Sequence, residues 1–296
     1  MTDLTWALAQ YRTPDGIATG IHVDDRVLAA PQALGGHDVM ELLADWEHWA
    51  TVLRTLDLDS LTPVGDVDLV APLTYPNKVI CAGANYYDHA DEMGVDRPDP
   101  AVEPFFFLKT PTTTVVGPTA EVAIFDDGRS QVDWEAELGV VIGRRCAGLE
   151  AADAAEVVAG YLVANDVSDR GVFHRNGAVA PPFEWDWLGH KSQDGFCPLG
   201  PGLVPAWLVP DPQALKIRLD VNGIVKQDSN TSQMVVDVHR LIAAASRVFT
   251  LEPGDVILTG TPAGVGMPRK DFLRPDDVVN VEIEGIGRIS NKVVAK

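Results

Sequence analysis

Val132-Asp133-Trp134-Glu135-Ala136-Glu137-Leu138-Gly139-Val140-Val141-Ile142-Gly143 decides how this chain is read. At a period of two, Val132, Trp134, Ala136, Leu138, Val140 and Ile142 form one apolar face. Asp133, Glu135 and Glu137 form the other, which turns apolar at Val141. That alternation predicts a β-strand. Residues two apart on a strand point the same way, with Cα atoms roughly 6.6 Å apart. Glu135 and Glu137 can therefore lean onto one hard cation, and an oxygen-only donor set suits Mg²⁺, Mn²⁺ or Ca²⁺. The competing reading is a solvated sheet face with its acids outward. The surrounding valines and leucine favour the cation, because two like charges side by side in an apolar strand need an opposite one.

The 296 residues can build one large core or two domains. A formal net charge of −20 argues against nucleic acid and anionic membrane surfaces as partners. It does not exclude a small anionic substrate, since a bound divalent cation reverses the local field. Cys81, Cys146 and Cys197 are far apart and in no C-x-x-C pattern, which disfavours a disulfide framework and a structural zinc. No apolar run approaches the length of a membrane span, and the first residues, with Asp3 among them, lack the apolar centre of a signal peptide. The expectation is a soluble cytoplasmic protein.

Residues 1–72 read as a small unit without chemistry and residues 73–296 as the part that carries it. Pro14-Asp15-Gly16 and Gly35-Gly36 read as turns. Val39, Leu42, Leu43, Trp46, Trp49, Ala50, Leu53 and Leu56 recur at helical spacing, and Asp38 with Glu41 makes a helix start. Residues 71–76 read as a stiff linker. After Lys78 come a short buried strand over 79–82 and a polar helical stretch closed by Gly94. On it His89 and Glu92, three apart, share a face. A carboxylate beside an imidazole fixes its tautomer and raises its basicity, as a general base requires. A surface helix with two acids and a histidine is the competing reading, and these residues alone favour it.

Phe105-Phe106-Phe107-Leu108 predicts a buried strand running into Lys109. The apolar strand over 160–164 delivers Asn165-Asp166-Val167-Ser168-Asp169-Arg170 at its end. Polar clusters at strand ends suit a mounted site, with Asp166 as a third carboxylate; an Asx turn is the alternative. The aromatic loop over 171–190 suits a lid, a pocket wall or an interface. Lys191 either grips a substrate anion or lies on the surface. Residues 151–158 predict a short helix, Asn222-Gly223 a hairpin turn, and 234–249 a helix. The strand over 255–258 feeds Thr259-Gly260-Thr261-Pro262-Ala263-Gly264-Val265-Gly266. This loop is neither a P-loop nor a dinucleotide fingerprint, but it can offer N–H groups and a threonine hydroxyl to an anion.

Taken in order, Ala82-Gly83-Ala84-Asn85-Tyr86 with His89 and Glu92, Trp134-Glu135-Ala136-Glu137-Leu138, Ala164-Asn165-Asp166-Val167-Ser168 with Arg170, Lys191-Ser192, Val221-Asn222-Gly223 and the 259–266 loop resemble the fumarylacetoacetate hydrolase family, in particular its bacterial acylpyruvate hydrolases. The resemblance covers about residues 76–294. It implies a mixed α/β, β-rich fold, with a β-roll catalytic domain and a small N-terminal α+β domain, in a homodimer. It implies Mg²⁺ or Mn²⁺, with Ca²⁺ as a substitute in crystals, held by Glu135, Glu137 and Asp166. The implied substrate is a 2-oxo or 1,3-diketo acid. Lys191 and Arg170 match positions near its oxygens, Thr261 the position that receives its carboxylate, and Tyr86, Gly260 and Gln227 further substrate-binding positions. His89 and Glu92 match a pair on a mobile lid that activates water.

The implied reaction is hydrolytic C–C cleavage of an acylpyruvate-type substrate, in catabolism of aromatic compounds or sugar acids. The alternative is decarboxylation, hydration or tautomerisation of a 2-oxo acid at the same site, which needs no activated water. A metal-binding protein without turnover ranks low, because His89, Glu92 and Lys191 are all retained. A serine hydrolase ranks lower still, for want of a G-x-S-x-G elbow. Two residues depart from the family's pattern. Ala84 stands where many relatives have a basic or larger residue, and Gln193 where an aromatic one is common after Lys-Ser. Both bear on substrate identity rather than on the metal.

Overall fold

The computed structural model describes residues 5–296. Strands β1 (Trp6–Thr13), β2 (Gly16–Val23) and β3 (Arg26–Ala29) open it as an antiparallel meander. Helix α1 (Val39–Ala44) starts on the expected capping box. Asp38 accepts from the Glu41 N–H at 2.8 Å, and Glu41 accepts from the Asp38 N–H at 2.9 Å. The periodicity predicted one helix through Leu56. Instead α1 stops at Asp45, a poor helix former, and the chain resumes as α2 (Trp46–Leu53). Strand β4 (Leu69–Val70) pairs with β1, and the stretch read as a linker is packed rather than free. Ala71 and Leu73 are buried, and Gln10 donates to the Ala71 carbonyl at 2.9 Å.

There follow β5 (Val79–Gly83), α3 (Tyr87–Met93), β6 (Phe105–Lys109), α4 (Pro111–Thr114), β7 (Val115–Val116) and β8 (Val122–Ile124). The deciding stretch forms β9 (Val132–Asp133) and β10 (Ala136–Ile142), interrupted at Trp134 and Glu135. The helix expected over 151–158 is a 3-10 turn, Ala151–Val157. Then come β11 (Val158–Asn165), β12 (Ser168–Asp169), α5 (Trp187–Lys191) and β13 (Cys197–Pro205). Strands β14 (Lys216–Val221) and β15 (Ile224–Asn230) form the predicted hairpin. Asn222 and Gly223 turn it with φ of 54° and 78°, as a type I′ turn requires. Helix α6 (Val238–Val248), β16 (Val256–Leu258), β17 (Val278–Ile283) and β18 (Gly287–Ala295) complete the chain. The fold is mixed α/β and rich in β-structure.

The main sheet runs β3-β2-β1-β13-β11-β10-β16-β5-β6, and β15-β14-β17-β18-β8 makes a second sheet. Strand alternation divides the core between the two faces of β10 and β11. Leu138, Val140, Tyr161 and Val163 meet Leu219, Val281 and Ile289 of the second sheet. Val141, Leu162 and Ala164 point the other way, into a cluster with Leu8, Ile21, Leu42 and Trp46. Glu137 shares that second face by the period of two, and so does Asp166, two beyond Ala164. The division at residue 72 stands as a proposal; across it, the Leu8↔Leu203 pairing of β1 with β13 and this cluster are shared.

Strand β6, predicted as buried, lies at the sheet edge. Phe105 is 54% and Leu108 48% exposed, whereas Lys109 is 1% exposed. A run of apolar residues does not reveal which strand ends a sheet.

The shared cluster predicts that Leu42→Ala, which empties a fully buried position, costs about 2–5 kcal/mol. Urea unfolding followed by tryptophan fluorescence and by far-UV circular dichroism should shift together to lower midpoint. Separate transitions, with only one of them shifted, would contradict a common core.

Candidate active site

The interruption between β9 and β10 sets the geometry. The Glu135 N–H leaves the ladder to donate to Asn165 Oδ1 at 3.0 Å, and the Ala136 N–H donates to Gln227 Oε1 at 2.9 Å. The Asp166 N–H donates to the Glu135 carbonyl at 2.9 Å. Glu137 pairs with Ala164 across the strands, one step from Asn165. Glu135, Glu137 and Asp166 are thereby brought together, with one oxygen of each within 4.8 Å of the others. Their exposures are 7%, 1% and 0%, so the solvated-face reading of the acids does not hold.

Buried carboxylates need partners. Lys191 Nζ lies 2.8 Å from Glu135 and 2.7 Å from Asp166. Lys109 Nζ lies 2.5 Å from the other Asp166 oxygen and donates to the Val167 carbonyl at 3.0 Å. Arg170 reaches Glu135 at 2.6 Å and Asp133 at 3.1 Å. Among the described residues no cation lies within ion-pair distance of Glu137; it accepts the Gly260 N–H at 2.6 Å. The two glutamates are accordingly driven apart. Burial raises the Glu135 carboxyl, but Lys191 and Arg170 overcome it and hold the group well below the usual range. Burial, Asp166 and Glu135 all raise Glu137 well above it. Burial opposes the charge on Lys191 too, yet Asp166 and Glu135 keep its affinity for the proton above the ordinary value. Three buried, convergent, oxygen-only ligands, one of them short of positive charge, fit a hard divalent cation.

The glycine-rich loop was expected to offer N–H groups to an anion, and it does so to the chain's own carboxylates. Gly260 donates to Glu137 at 2.6 Å, Gly264 to Glu92 at 3.0 Å, and Gly266 and Met267 to Asp133 at 2.6 and 3.0 Å. Gly264 has φ of +110°, and a Cβ there would fall 2.1 Å from the Lys226 carbonyl oxygen, so only glycine fits. Thr261 accepts from Gln227 at 2.8 Å.

Helix α3 sits on this loop. His89 Nδ1 is 3.3 Å from Glu92 Oε2, and Glu92 also meets Arg269 at 3.0 Å. Asp88 accepts from Ser229 at 2.5 Å and from the Ala263 N–H at 3.3 Å. The segment read as movable is docked here by these contacts. At its start, Tyr86 is fully buried, and its hydroxyl has no hydrogen-bond partner among the described residues. Burial and then Glu137 push that phenol well above its ordinary value. Every residue expected at the site thus belongs to one hydrogen-bonded assembly or lies against it. Among the members not foreseen are Lys109 and Asp133, and His190, whose Nε2 lies 3.4 Å from Arg170 Nη1. The signal for Lys109 was a lysine placed directly behind four apolar residues.

The model of the fumarylacetoacetate (FAA) hydrolase C-terminal family matches residues 78–294. The chain belongs to this family. Human mitochondrial oxaloacetate tautomerase FAHD2B is 48% identical over 235 residues, 78% of this chain and 71% of that protein. The crystal structure of maleylpyruvate hydrolase from Sphingobium sp. SYK-6, in complex with manganese (II) ion and pyruvate, is 31% identical with a TM-score of 0.77, over 98% of this chain and 99% of that one. Fumarylacetoacetate hydrolase from Exiguobacterium antarcticum is 32% identical with a TM-score of 0.84, over 98% and 100%. The family's members include hydrolases, isomerases and tautomerases, so membership makes the chain an enzyme and leaves its reaction to be argued from the site.

The opposed glutamates fix the sign of a pH effect. Glu135, held low, contributes stability above its unfolded value and loses it as pH falls through the folded one. Glu137, held high, contributes stability that is fully present below its unfolded value and is lost as pH rises through the folded one. Above the usual carboxylate range the metal-free protein should therefore weaken with rising pH, while Mn²⁺, which needs the ionised group, should bind more tightly. The gain in Tm on adding Mn²⁺ should grow from mildly acid to neutral pH. A gain independent of pH would contradict the assignment of Glu137.

Proposed function

We propose that this enzyme interconverts the enol and keto forms of a 2-oxo acid, with oxaloacetate the first substrate to test. The observation that carries the reading is the set of Glu135, Glu137 and Asp166 beside Lys191 and Arg170, in a chain so similar to oxaloacetate tautomerases. A divalent cation in that cage, Mg²⁺ or Mn²⁺, supplies Lewis acidity toward the oxygens of the 2-oxo acid. Lys191 and Arg170 hold the substrate's negative charge, and Thr261, with Gln227 behind it, receives its carboxylate. Tyr86 and Gly260 shape the pocket wall, the Gly260 N–H already being engaged by Glu137.

The proton is moved by His89. With Nδ1 facing the Glu92 carboxylate, the ring presents its Nε2 lone pair. It takes a proton from C3 of the keto form and delivers it to the oxygen of the resulting enolate, giving the enol. A second reading uses the same lone pair to deprotonate water for C–C cleavage of an acylpyruvate-type 1,3-diketo acid. The His89–Glu92 pair at 3.3 Å and the likeness to a maleylpyruvate hydrolase over nearly the whole chain favour it. We also place the enzyme in the cytoplasm as a homodimer. The free thiols of Cys81, Cys146 and Cys197 support the first, and the exposed apolar edge at Phe105 and Leu108 supports the second. No helix among the described residues is long and apolar enough to cross a membrane.

The test sets decay of enol-oxaloacetate beside hydrolysis of an acylpyruvate panel, with and without EDTA. Fast, EDTA-sensitive enol decay with slow hydrolysis is expected. His89→Ala should lower the enol–keto rate by about 10²–10⁴-fold and keep the fold and Mn²⁺ binding. An unchanged rate in that variant would remove the proton from His89. Hydrolysis outpacing enol decay in the wild type would put the second reading first.

A further inference from the structure

Arg170 has more contacts than the two carboxylates. Its Nη1 lies 3.4 Å from Nε2 of His190, a residue 1% exposed at the end of α5. On the other side of the ring, His190 Nδ1 lies 2.9 Å from the Asp169 carbonyl oxygen. A carbonyl can only accept, so Nδ1 carries the proton. Burial, then Lys191 and Arg170, push the imidazole down to about 3, so it is neutral and Nε2 is a bare lone pair. That lone pair accepts from the guanidinium without adding a charge.

The ring is held in this pose from several sides. Phe173 lies 4.4 Å away, centroid to centroid, tilted by 32°, and Trp187 meets it edge-on at 6.0 Å. The Asp169 backbone is fixed through its own side chain, which accepts from the Gln131 and Gly171 N–H groups at 2.9 and 3.0 Å. Gln193 donates to the same carboxylate at 3.2 Å and to the Gly189 carbonyl at 3.0 Å, tying the end of α5 to it. A guanidinium has five N–H groups. On Arg170, Nε is given to Asp133, one Nη2 hydrogen to Glu135 and one Nη1 hydrogen to His190. The other two, one on each terminal nitrogen, have no partner among the described residues, and the side chain is 17% exposed.

We propose that His190 is a positioning residue: its Nδ1–H tautomer fixes the third arm of the Arg170 guanidinium and so aims the two remaining N–H groups at a substrate carboxylate. The inference rests on the reading of Arg170 as a substrate contact. A fixed fork binds a carboxylate in two-point fashion, whereas a guanidinium free to rotate about its last bonds must first be ordered.

The variants His190→Phe and His190→Gln separate the acceptor from the packing. Phenylalanine keeps a ring against Phe173 and removes both hydrogen bonds. Glutamine restores an acceptor oxygen near the Nε2 position. In the Mn²⁺-loaded enzyme, His190→Phe should raise KM for oxaloacetate about tenfold with kcat within about threefold, and His190→Gln should stay within about threefold of wild type in both. An unchanged KM in His190→Phe, equal losses in both variants, or a loss confined to kcat would overturn the proposal. A second readout needs no substrate. In ¹⁵N spectra of the wild type, His190 should show the Nδ1–H tautomer. The Arg170 Nε–H should exchange slowly in wild type and His190→Gln, and faster in His190→Phe. An Nε2–H tautomer, or exchange unchanged in His190→Phe, would overturn the clamp. A wild type with an intact clamp but no 2-oxo acid turnover would instead remove the proposed function.

Discussion

Asp133, Glu135, Glu137 and Asp166 lie out of water at the ends of two paired strands, against Lys109, Lys191 and Arg170. Taking such charges out of water costs several kcal/mol each, and only close, well-hydrogen-bonded opposite charges offset it. The surrounding architecture follows from that demand. The 259–266 loop closes over the strand ends because its N–H groups satisfy Glu137, Asp133 and Glu92. Helix α3 is seated because Asp88 and Glu92 are tied to the same loop. Helix α5 is anchored because Lys191 bridges Glu135 and Asp166.

The same arrangement accounts for two neighbouring glutamates with opposite proton affinities. Lys191 and Arg170 both approach from the Glu135 side, while Glu137 meets a single backbone N–H. Paired groups whose surroundings push them apart mark sites where protons and charge are managed. Here Glu137 keeps its proton for want of a cation of its own, and a divalent cation held with Glu135 and Asp166 would displace that proton and supply the missing charge. The apolar cluster behind the carboxylates draws Leu8, Ile21 and Leu42 from the first strands and helices. The N-terminal stretch therefore backs the face of the sheet on which the acids stand, although it supplies none of them.

Much of this was legible in the residues. The period of two in Val132–Ile142 predicted a strand with one apolar face, and the Glu-Ala-Glu spacing put Glu135 and Glu137 side by side. Asp38 with Glu41 and Asn222 with Gly223 predicted a helix start and a turn, because such signals act over three or four residues. What the sequence concealed depends on distant partners. A lone lysine after an apolar run does not disclose that Lys109 is buried against Asp166. Nor does His190 announce itself, since its role comes from Asp169 and Arg170, some twenty residues back. The edge position of β6 was hidden for the same reason: strand order is set by pairings far apart in the chain.

The central claim is that Glu135, Glu137 and Asp166 hold one divalent cation. Electron paramagnetic resonance counts free Mn²⁺ directly as a folded protein is titrated. The account predicts one tightly bound Mn²⁺ per chain in the wild type. In Glu137→Ala, with an unchanged circular dichroism spectrum, binding should weaken by more than the roughly hundredfold that loss of a merely supporting residue costs. A folded Glu137→Ala protein that still binds one Mn²⁺ as tightly as the wild type would contradict it.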